Sequence, residues 1–270
     1  MGRKASMKVV ADDVDESETR TPAGSQTLLR GLDVIEAIME RPLPLNDLAE
    51  KLSLTRSTTH RLASALVERR MLLFRPREGY SLGPKLIEMG YAAGQQMHLP
   101  RIARPFLEKL SALTEDTVHL GVLEGRQALY LDKVSGTRRI HIGSRLGERH
   151  PIASTGLGKA LILDKTEQEW TEFYTQGDEA ADTSALALWL ERMRAYARGG
   201  YAYDLEENED RIRCVAAPIR GVDGAVIAAV SVSSAAQYMS DSRMSELTTT
   251  VREIADAISV DLGWSPNPKP

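Results

Sequence analysis

The chain has 270 residues, 42% hydrophobic and 27% charged, so it can bury a core, and wholesale disorder is excluded. Its apolar runs, such as 225–230, fall far short of the ~20 residues that a membrane helix needs. Residues 1–20 lack the apolar stretch of a secretory signal, and the single cysteine, Cys214, rules out an intrachain disulfide and fits a reducing, cytoplasmic setting.

The net charge of −4 is unevenly spread: residues 20–82 hold ten basic and seven acidic side chains, and the segments on either side are acidic. That balance fits a nucleic-acid module joined to a different body. At roughly 150 residues per domain, two domains are expected.

Residues 1–22 read as a disordered tail, acidic and without periodicity. From Thr27 the pattern turns helical, with Leu28, Leu32, Ile35 and Met39 painting one inward face, until the Pro42 and Pro44 region stops it. A second short helix is expected at about 46–52 with Asn46 as cap, followed by a tight turn at 53–55. A third runs from Arg56 to Arg69 behind a Thr55 cap, with Thr58, Leu62, Ala65 and Leu66 inward and Arg56, Ser57, Thr59, His60, Arg61 and Ser64 outward. Residues 71–74 and 80–82 read as the strands of a hairpin whose turn carries Arg75 and Arg77.

Helix, helix, short turn, helix and basic hairpin are the layout of a winged helix-turn-helix spanning about 23–83. The third helix offers short hydroxyls and two arginines with no acid before Glu68, as a helix entering the major groove requires. Arg75 and Arg77 are placed to touch phosphate or the minor groove. Any surface helix has a polar face; the combination of face, short turn and basic wing favours double-stranded DNA as partner.

Residues 84–99 continue as a linker helix, with Leu86, Met89, Gly90, Ala93 and Met97 on one side, suited to a partner subunit or to plain connection. A second domain is expected over 100–264. It opens with a helix at 101–113 that buries Ile102, Phe106, Leu110 and Leu113. Strands follow at 118–123, 127–134 and 139–144, then helices at about 156–164, 166–175 and 184–198. Strands at 201–204, 214–219 and 225–233 and a helix at 241–262 complete it, before a tail at 265–270. Hairpins predominate over βαβ units, so the class is α+β with an antiparallel sheet.

Gly156-Leu157-Gly158-Lys159-Ala160 invites comparison with a phosphate loop, but the required first glycine is Ala153 and the closing hydroxyl is Ala160. What survives is a glycine-flanked helix start suited to a small anion, or simply a tight turn. Asp204, Cys214, Ser231 and Ser233 form a second cluster, the two serines sharing one face of an otherwise apolar strand. Cys214 reads equally well as a small buried hydrophobe. His119 is expected on the less buried face of its strand. No histidine spacing matches a zinc site, and no cofactor, metal or catalytic arrangement is called for.

These segments together resemble the IclR family of bacterial transcription regulators. The resemblance is carried by 45–62 (LNDLAEKLSLTRSTTHRL), the wing end at 79–83, and 151–160 (PIASTGLGKA), continuing through 200–207 (GYAYDLEE), 214–218 and 228–233. Ser53 and the pair Arg69-Arg70 stand where that family commonly has glycine, and Arg139 where a pocket wall is usually hydrophobic.

The resemblance implies a winged helix-turn-helix, a linker helix and a GAF/profilin-like effector domain. It further implies operator binding by a homodimer, or by a tetramer built as a dimer of dimers, and a response to small organic acids. By position it places the effector pocket at Gly156, Leu157, Asp204, Cys214, Ser231 and Ser233, with Ile142 and Ile212 as its apolar wall. It also hints at the branch that senses 2-keto-3-deoxygluconate and related sugar acids. The expectation is a ligand-responsive transcription regulator without catalysis; the rivals are an enzyme acting on a small carboxylic acid, or a redox sensor using Cys214.

Overall fold

A computed structural model describes residues 25–96, 98–176 and 182–266. The tail expected at 1–22, the end of the linker at Met97, and 267–270 of the C-terminal tail lie outside the described residues. The chain divides after Gln96 into two compact units.

The first unit contains α1 (Gln26–Ala37), α2 (Leu45–Lys51), α3 (Arg56–Glu68), the hairpin β1 (Leu72–Arg75) and β2 (Gly79–Leu82), and α4 (Pro84–Gln96). Its core joins Val34, Ile38, Leu43, Leu48, Leu62, Ala63, Leu72 and Tyr80. Thr55 caps α3 as expected, its hydroxyl accepting from the Thr58 N–H. The hairpin is tied to the α1–α2 connection by reciprocal backbone bonds between Leu43 and Tyr80 of 3.0 and 2.8 Å. Gly79 allows that approach: its φ is +88°, and a Cβ there would lie 2.2 Å from the Leu43 carbonyl oxygen.

Several inward assignments are corrected. α1 buries Val34 and Ala37, while Leu28, Leu32 and Met39 are exposed. The periodicity located a real apolar stripe, but the fold of this unit packs the adjacent face. Asn46 lies inside α2, whose cap is Pro44, because the helix starts one residue earlier. In α3, Ala63 is buried and Ala65 exposed, while Leu62 and Leu66 stay on the inner side.

In the second unit, α5 (Leu99–Thr114) precedes β3 (Thr117–Glu124), β4 (Gln127–Val134) and β5 (Arg149–Pro151). Then come α6 (Gly156–Leu161), α7 (Glu167–Thr175), α8 (Thr183–Gly199), β6 (Ala202–Leu205), β7 (Ile212–Arg220), β8 (Val226–Ala235) and α9 (Asp241–Asp261). The six strands form one antiparallel sheet in the order β5-β4-β3-β8-β7-β6. The fold class is therefore α+β, as expected.

Side-chain alternation along each strand divides the sheet into two faces. Val118, Leu120, Val215, Ala217, Val230 and Val232 pack against α5 and α9. Ala128, Tyr130, Cys214, Ala216 and Ala229 pack toward α6, α7 and α8. The same alternation sends His119, Ser231 and Ser233 to the α6 side.

Three expectations fail in this unit. Leu113 is 63% exposed, since α5 buries Leu107, Leu110 and Ser111 instead. Residues 139–144 form no strand; they belong to a connection from 135 to 148, and the edge strand lies at Arg149–Pro151. His119 is buried, because both faces of this sheet are covered by helices and neither is a solvent face.

Candidate functional site

In the first unit, Arg56, Ser57, His60, Arg61 and Ser64 are exposed along α3. A groove of about 600 Å³ between this helix and the wing is lined by Arg56, His60, Ser64, Phe74, Arg77 and others. Arg56, Arg61 and Arg77 form no ion pair among the described residues, whereas Arg75 is bound to Glu78 at 2.9 Å.

Thr59 departs from the expected set. It is fully buried, and its hydroxyl donates to the Thr55 carbonyl at 3.1 Å, so it supports the helix rather than facing outward. A cationic, hydroxyl-bearing helix face beside a basic wing can reach base edges and phosphates together.

In the second unit, a small enclosed cavity of about 50 Å³ lies between the sheet, the start of α6 and the 135–148 connection. It brings together Ile142, Gly156, Asp204, Ile212, Cys214 and Ser233 from the expected set. Leu157 and Ser231 do not line it. The Leu157 side chain is buried in the α6–α8 core, and Ser231 sits deeper on β8, opposite His119 on β3. Arg139 is exposed and takes no part in the wall.

The register explains the assembly. Cys214 pairs with Asp204 on one side and with Ser233 on the other, so three strands place the three groups in one row. α6 then presses its glycine onto that row: a Cβ on Gly156 would meet the Cys214 sulfur at 2.9 Å. Thr155 caps α6 by accepting from the Gly158 N–H at 3.0 Å. The first N–H groups of such a helix, here on Gly156 and Leu157, have no carbonyl partner within it.

Burial raises the Asp204 carboxyl to about 6, with the Glu207 N–H hydrogen bond and the Lys159 charge opposing that rise. The Glu207 N–H donates to Asp204 Oδ1 at 2.8 Å. Lys159, itself buried, donates to the Tyr203 carbonyl at 2.8 Å and pairs with Glu207, which also binds Arg192 at 3.0 Å. The lysine of the glycine-flanked run is thus committed to structure and is turned away from phosphate chemistry.

Burial also pushes the Cys214 thiol up to about 12, helped by the Asp204 charge. A redox sensor needs a stabilised thiolate, so this environment counts against that rival.

The sequence pointed less clearly to the other lining residues. His119, Tyr130, Ser144, His150, Asn208 and Glu209 also face the cavity. His119 Nε2 contacts Ser144 Oγ at 2.7 Å, and its ring packs on Tyr130, which stacks on His150. Burial, with the nearby Lys133 charge, pulls the His119 imidazole down to about 3, so it is neutral near pH 7. The alternation of His119 between Val118 and Leu120 was the available signal, and it was read as marking the less buried face.

A reading helix with a basic wing, followed by a separate domain enclosing a polar cavity, defines a DNA-binding regulator with an effector domain. The family model described as the IclR helix-turn-helix domain matches residues 27–76, and the model of the bacterial transcriptional regulator IclR C-terminal domain matches 91–260. The chain is 32% identical over 247 residues to the HTH-type transcriptional regulator XynR of Escherichia coli strain K12, covering 88% of this chain and 98% of XynR. It is 30% identical over 259 residues to the HTH-type transcriptional regulator KdgR of the same strain, covering 92% and 97%.

Among solved structures, the Agobacterium tumefaciens repressor BlcR shares the fold at a TM-score of 0.71 and 24% identity, covering 88% of this chain and 98% of that one. The chain belongs to the IclR family of bacterial transcription regulators. It is accordingly a DNA-binding transcription regulator with a C-terminal effector domain, and its relatives are named as regulators rather than as enzymes. Among the described residues, no helix is long and apolar enough to cross a membrane.

Proposed function

We propose that this regulator reads operator DNA with Arg56, Ser57, His60 and Arg61 of α3 and with Arg77 of the wing, and responds to a small organic acid held in the cavity of its second unit. Arg75, partly neutralised by Glu78, serves as a weaker phosphate contact. The observation that carries the effector assignment is the convergence of Asp204, Cys214, Ser233, Gly156, Ile142 and Ile212 on one enclosed cavity, from five separate segments. The acid's carboxylate meets the N–H groups of Gly156 and Leu157, and its remaining oxygens meet Ser233 and Asp204. A sugar acid is the class that this polar lining suits best; to admit one, the cavity, about 50 Å³ as it stands, has to open.

The working form is a cytoplasmic homodimer, or a dimer of dimers. Exposed Leu28, Leu29, Leu32 and Met39 on and beside α1, with Ile87, Met89 and Tyr91 on α4, support pairing of the first units, since such apolar exposure is unusual for a monomer. Operator half-sites about one helical turn apart, or a multiple of it, then match paired reading helices. The effector acts by binding one arrangement of the oligomer better and so shifting its population.

Fluorescence anisotropy with the DNA upstream of the protein's own gene tests this, repeated with sugar acids, keto acids and aromatic acids. The expected result is saturable, sequence-selective binding that one acid shifts. Weak, salt-sensitive and sequence-blind binding would contradict the operator assignment. Selective binding that no acid shifts would contradict the effector assignment.

A further inference from the structure

The groove between α3 and the wing, about 600 Å³, mixes two kinds of lining: Arg56, His60 and Arg77 with Val67, Phe74 and Pro76. No carboxylate lines it, and neither arginine has an ion pair among the described residues. Phe74 is half exposed and rests on Tyr80 with ring centroids 4.9 Å apart. A phosphate backbone uses such cations but makes little use of an apolar floor. A peptide carrying both carboxylates and apolar side chains would use both.

The sequence contains such a segment. Residues 12–18 (DDVDESE) hold five carboxylates and no base, with Val14 among them and Val9 and Val10 just before. The run lies outside the described residues, and Glu18 stands seven positions before Ser25, where the described chain begins. At ~3.3–3.6 Å per residue, those seven positions span up to about 25 Å, and the thirteen from Asp12 up to about 45 Å. A compact domain of this size is roughly 30 Å across. The run is thus long enough to reach the groove of its own chain, and its charge is opposite to that of the groove.

We propose that the acidic run at 12–18 docks in this groove when no operator is bound and competes with DNA for Arg56, His60 and Arg77. The proposal rests on the operator reading above, because the same groove then serves two anionic ligands in turn. Exposed ion pairs are individually weak. A tether of about ten residues compensates, since it holds the run at an effective concentration on the order of millimolar. A fivefold loss of operator affinity then needs an intrinsic Kd only about four times below that concentration.

The test compares the full chain with a form whose run is neutralised: Asp12→Asn, Asp13→Asn, Asp15→Asn, Glu16→Gln and Glu18→Gln. In anisotropy titrations with operator DNA, the neutralised form should bind at least fivefold tighter at about 50 mM salt. At about 300 mM, where the ion pairs of the run are screened, the two should agree within twofold. A second measurement locates the run. Ser17→Cys with Ser64→Cys puts one thiol in the run and one in the groove, while Cys214, the only native cysteine, is buried. Under mild oxidation, a disulfide within one chain should form at least tenfold faster with the acidic run than with the neutralised one. Operator DNA, or Arg56→Ala with Arg77→Ala, should remove that advantage.

Equal operator affinity of the two forms at low salt would overturn the proposal. So would equal disulfide rates, which would mean that the run repels DNA without entering the groove. If neither form binds operator selectively, the operator reading fails by itself, and the disulfide rates still decide whether the run occupies the groove.

Discussion

In residues 25–96 the side chains proposed to act are exposed, and their positions are set by backbone: a cap at Thr55, a strap between Leu43 and Tyr80, and a glycine at the crossing. In the second unit the side chains proposed to act are buried, and their positions are set by one another, through strand register and hydrogen bonds around Asp204, Cys214 and His119. The first arrangement suits a large charged ligand that brings its own shape. The second suits a small ligand that enters among groups already fixed in place. Substitutions should therefore fail differently in the two units, through geometry in one and through desolvation in the other.

The largest effect should come from Gly79→Ala. The new methyl would stand 2.2 Å from the Leu43 carbonyl oxygen, at a φ of +88° that disfavours any side chain. Strain at one such site amounts to ~1–3 kcal/mol before the clash is counted, so the wing should shift or the unit unfold. Operator affinity, measured by anisotropy, should fall at least a hundredfold, with acid binding to the second unit intact. Retained operator affinity would mean that the strap does not position the wing.

Asp204→Asn probes the other unit by desolvation. The folded carboxyl takes up its proton near pH 6 against an ordinary 3.8, so between these values the folded chain binds more protons than the unfolded one. Stability from this group is thus present at low pH, falls as pH rises through about 6, and is lost above it. The asparagine keeps the acceptor for the Glu207 N–H without the charge. It should stabilise the protein by up to ~3 kcal/mol at pH 8 and by little at pH 4, as read by denaturant titration.

His119 works in the opposite direction. Its depressed imidazole contributes stability above its ordinary 6.5 that is lost as pH falls. The difference between wild type and Asp204→Asn isolates the carboxyl. An equal gain at both pH values would show that the charge is not the cause.

How far each unit could be read from sequence follows the same contrast. The reading helix was legible because its polar face is contiguous in sequence and its Thr55 cap is local. The errors there, Thr59 outward and Leu28 inward, came from placing a helix face by period alone when the packing partner decides which arc is covered. The row of Asp204, Cys214 and Ser233 could be suspected but not assembled, because it depends on the register of three strands. His119 was misplaced because alternation tells which residues share a face and not whether that face is wet. The 135–148 connection looked like a strand at 139–144 because β-propensity alone does not make a strand: β4 pairs on that side only with Arg149–Pro151, and 139–144 form no ladder with it.

A smaller effect separates reading from folding within the first unit. Arg61→Ala should weaken operator binding at least tenfold, since one good base contact is worth ~1–3 kcal/mol. Thr59→Val, at a buried position whose hydroxyl bonds only to Thr55, should change operator affinity less than threefold while lowering stability by about 1 kcal/mol. Equal losses of affinity from the two variants would contradict the division between exposed readers and buried support.

The smallest effect concerns two turn residues that flank α3. Ser53 has φ +53° and Arg70 φ +60°, both in the left-handed region that glycine enters without strain. The turns before and after α3 are therefore built by residues that are strained there. Relief of that strain is partly offset by the greater freedom of glycine in the unfolded chain, leaving a net gain of about 0.5–1 kcal/mol. Arg70→Gly also removes an exposed pair with Glu88 at 3.5 Å, which contributes little. Ser53→Gly and Arg70→Gly should each raise the melting temperature of the first unit by a few degrees and leave acid binding unchanged. If either lowers it, the side chain at that position makes a contribution that outweighs its backbone strain, and the departure from glycine is then a stabilising choice.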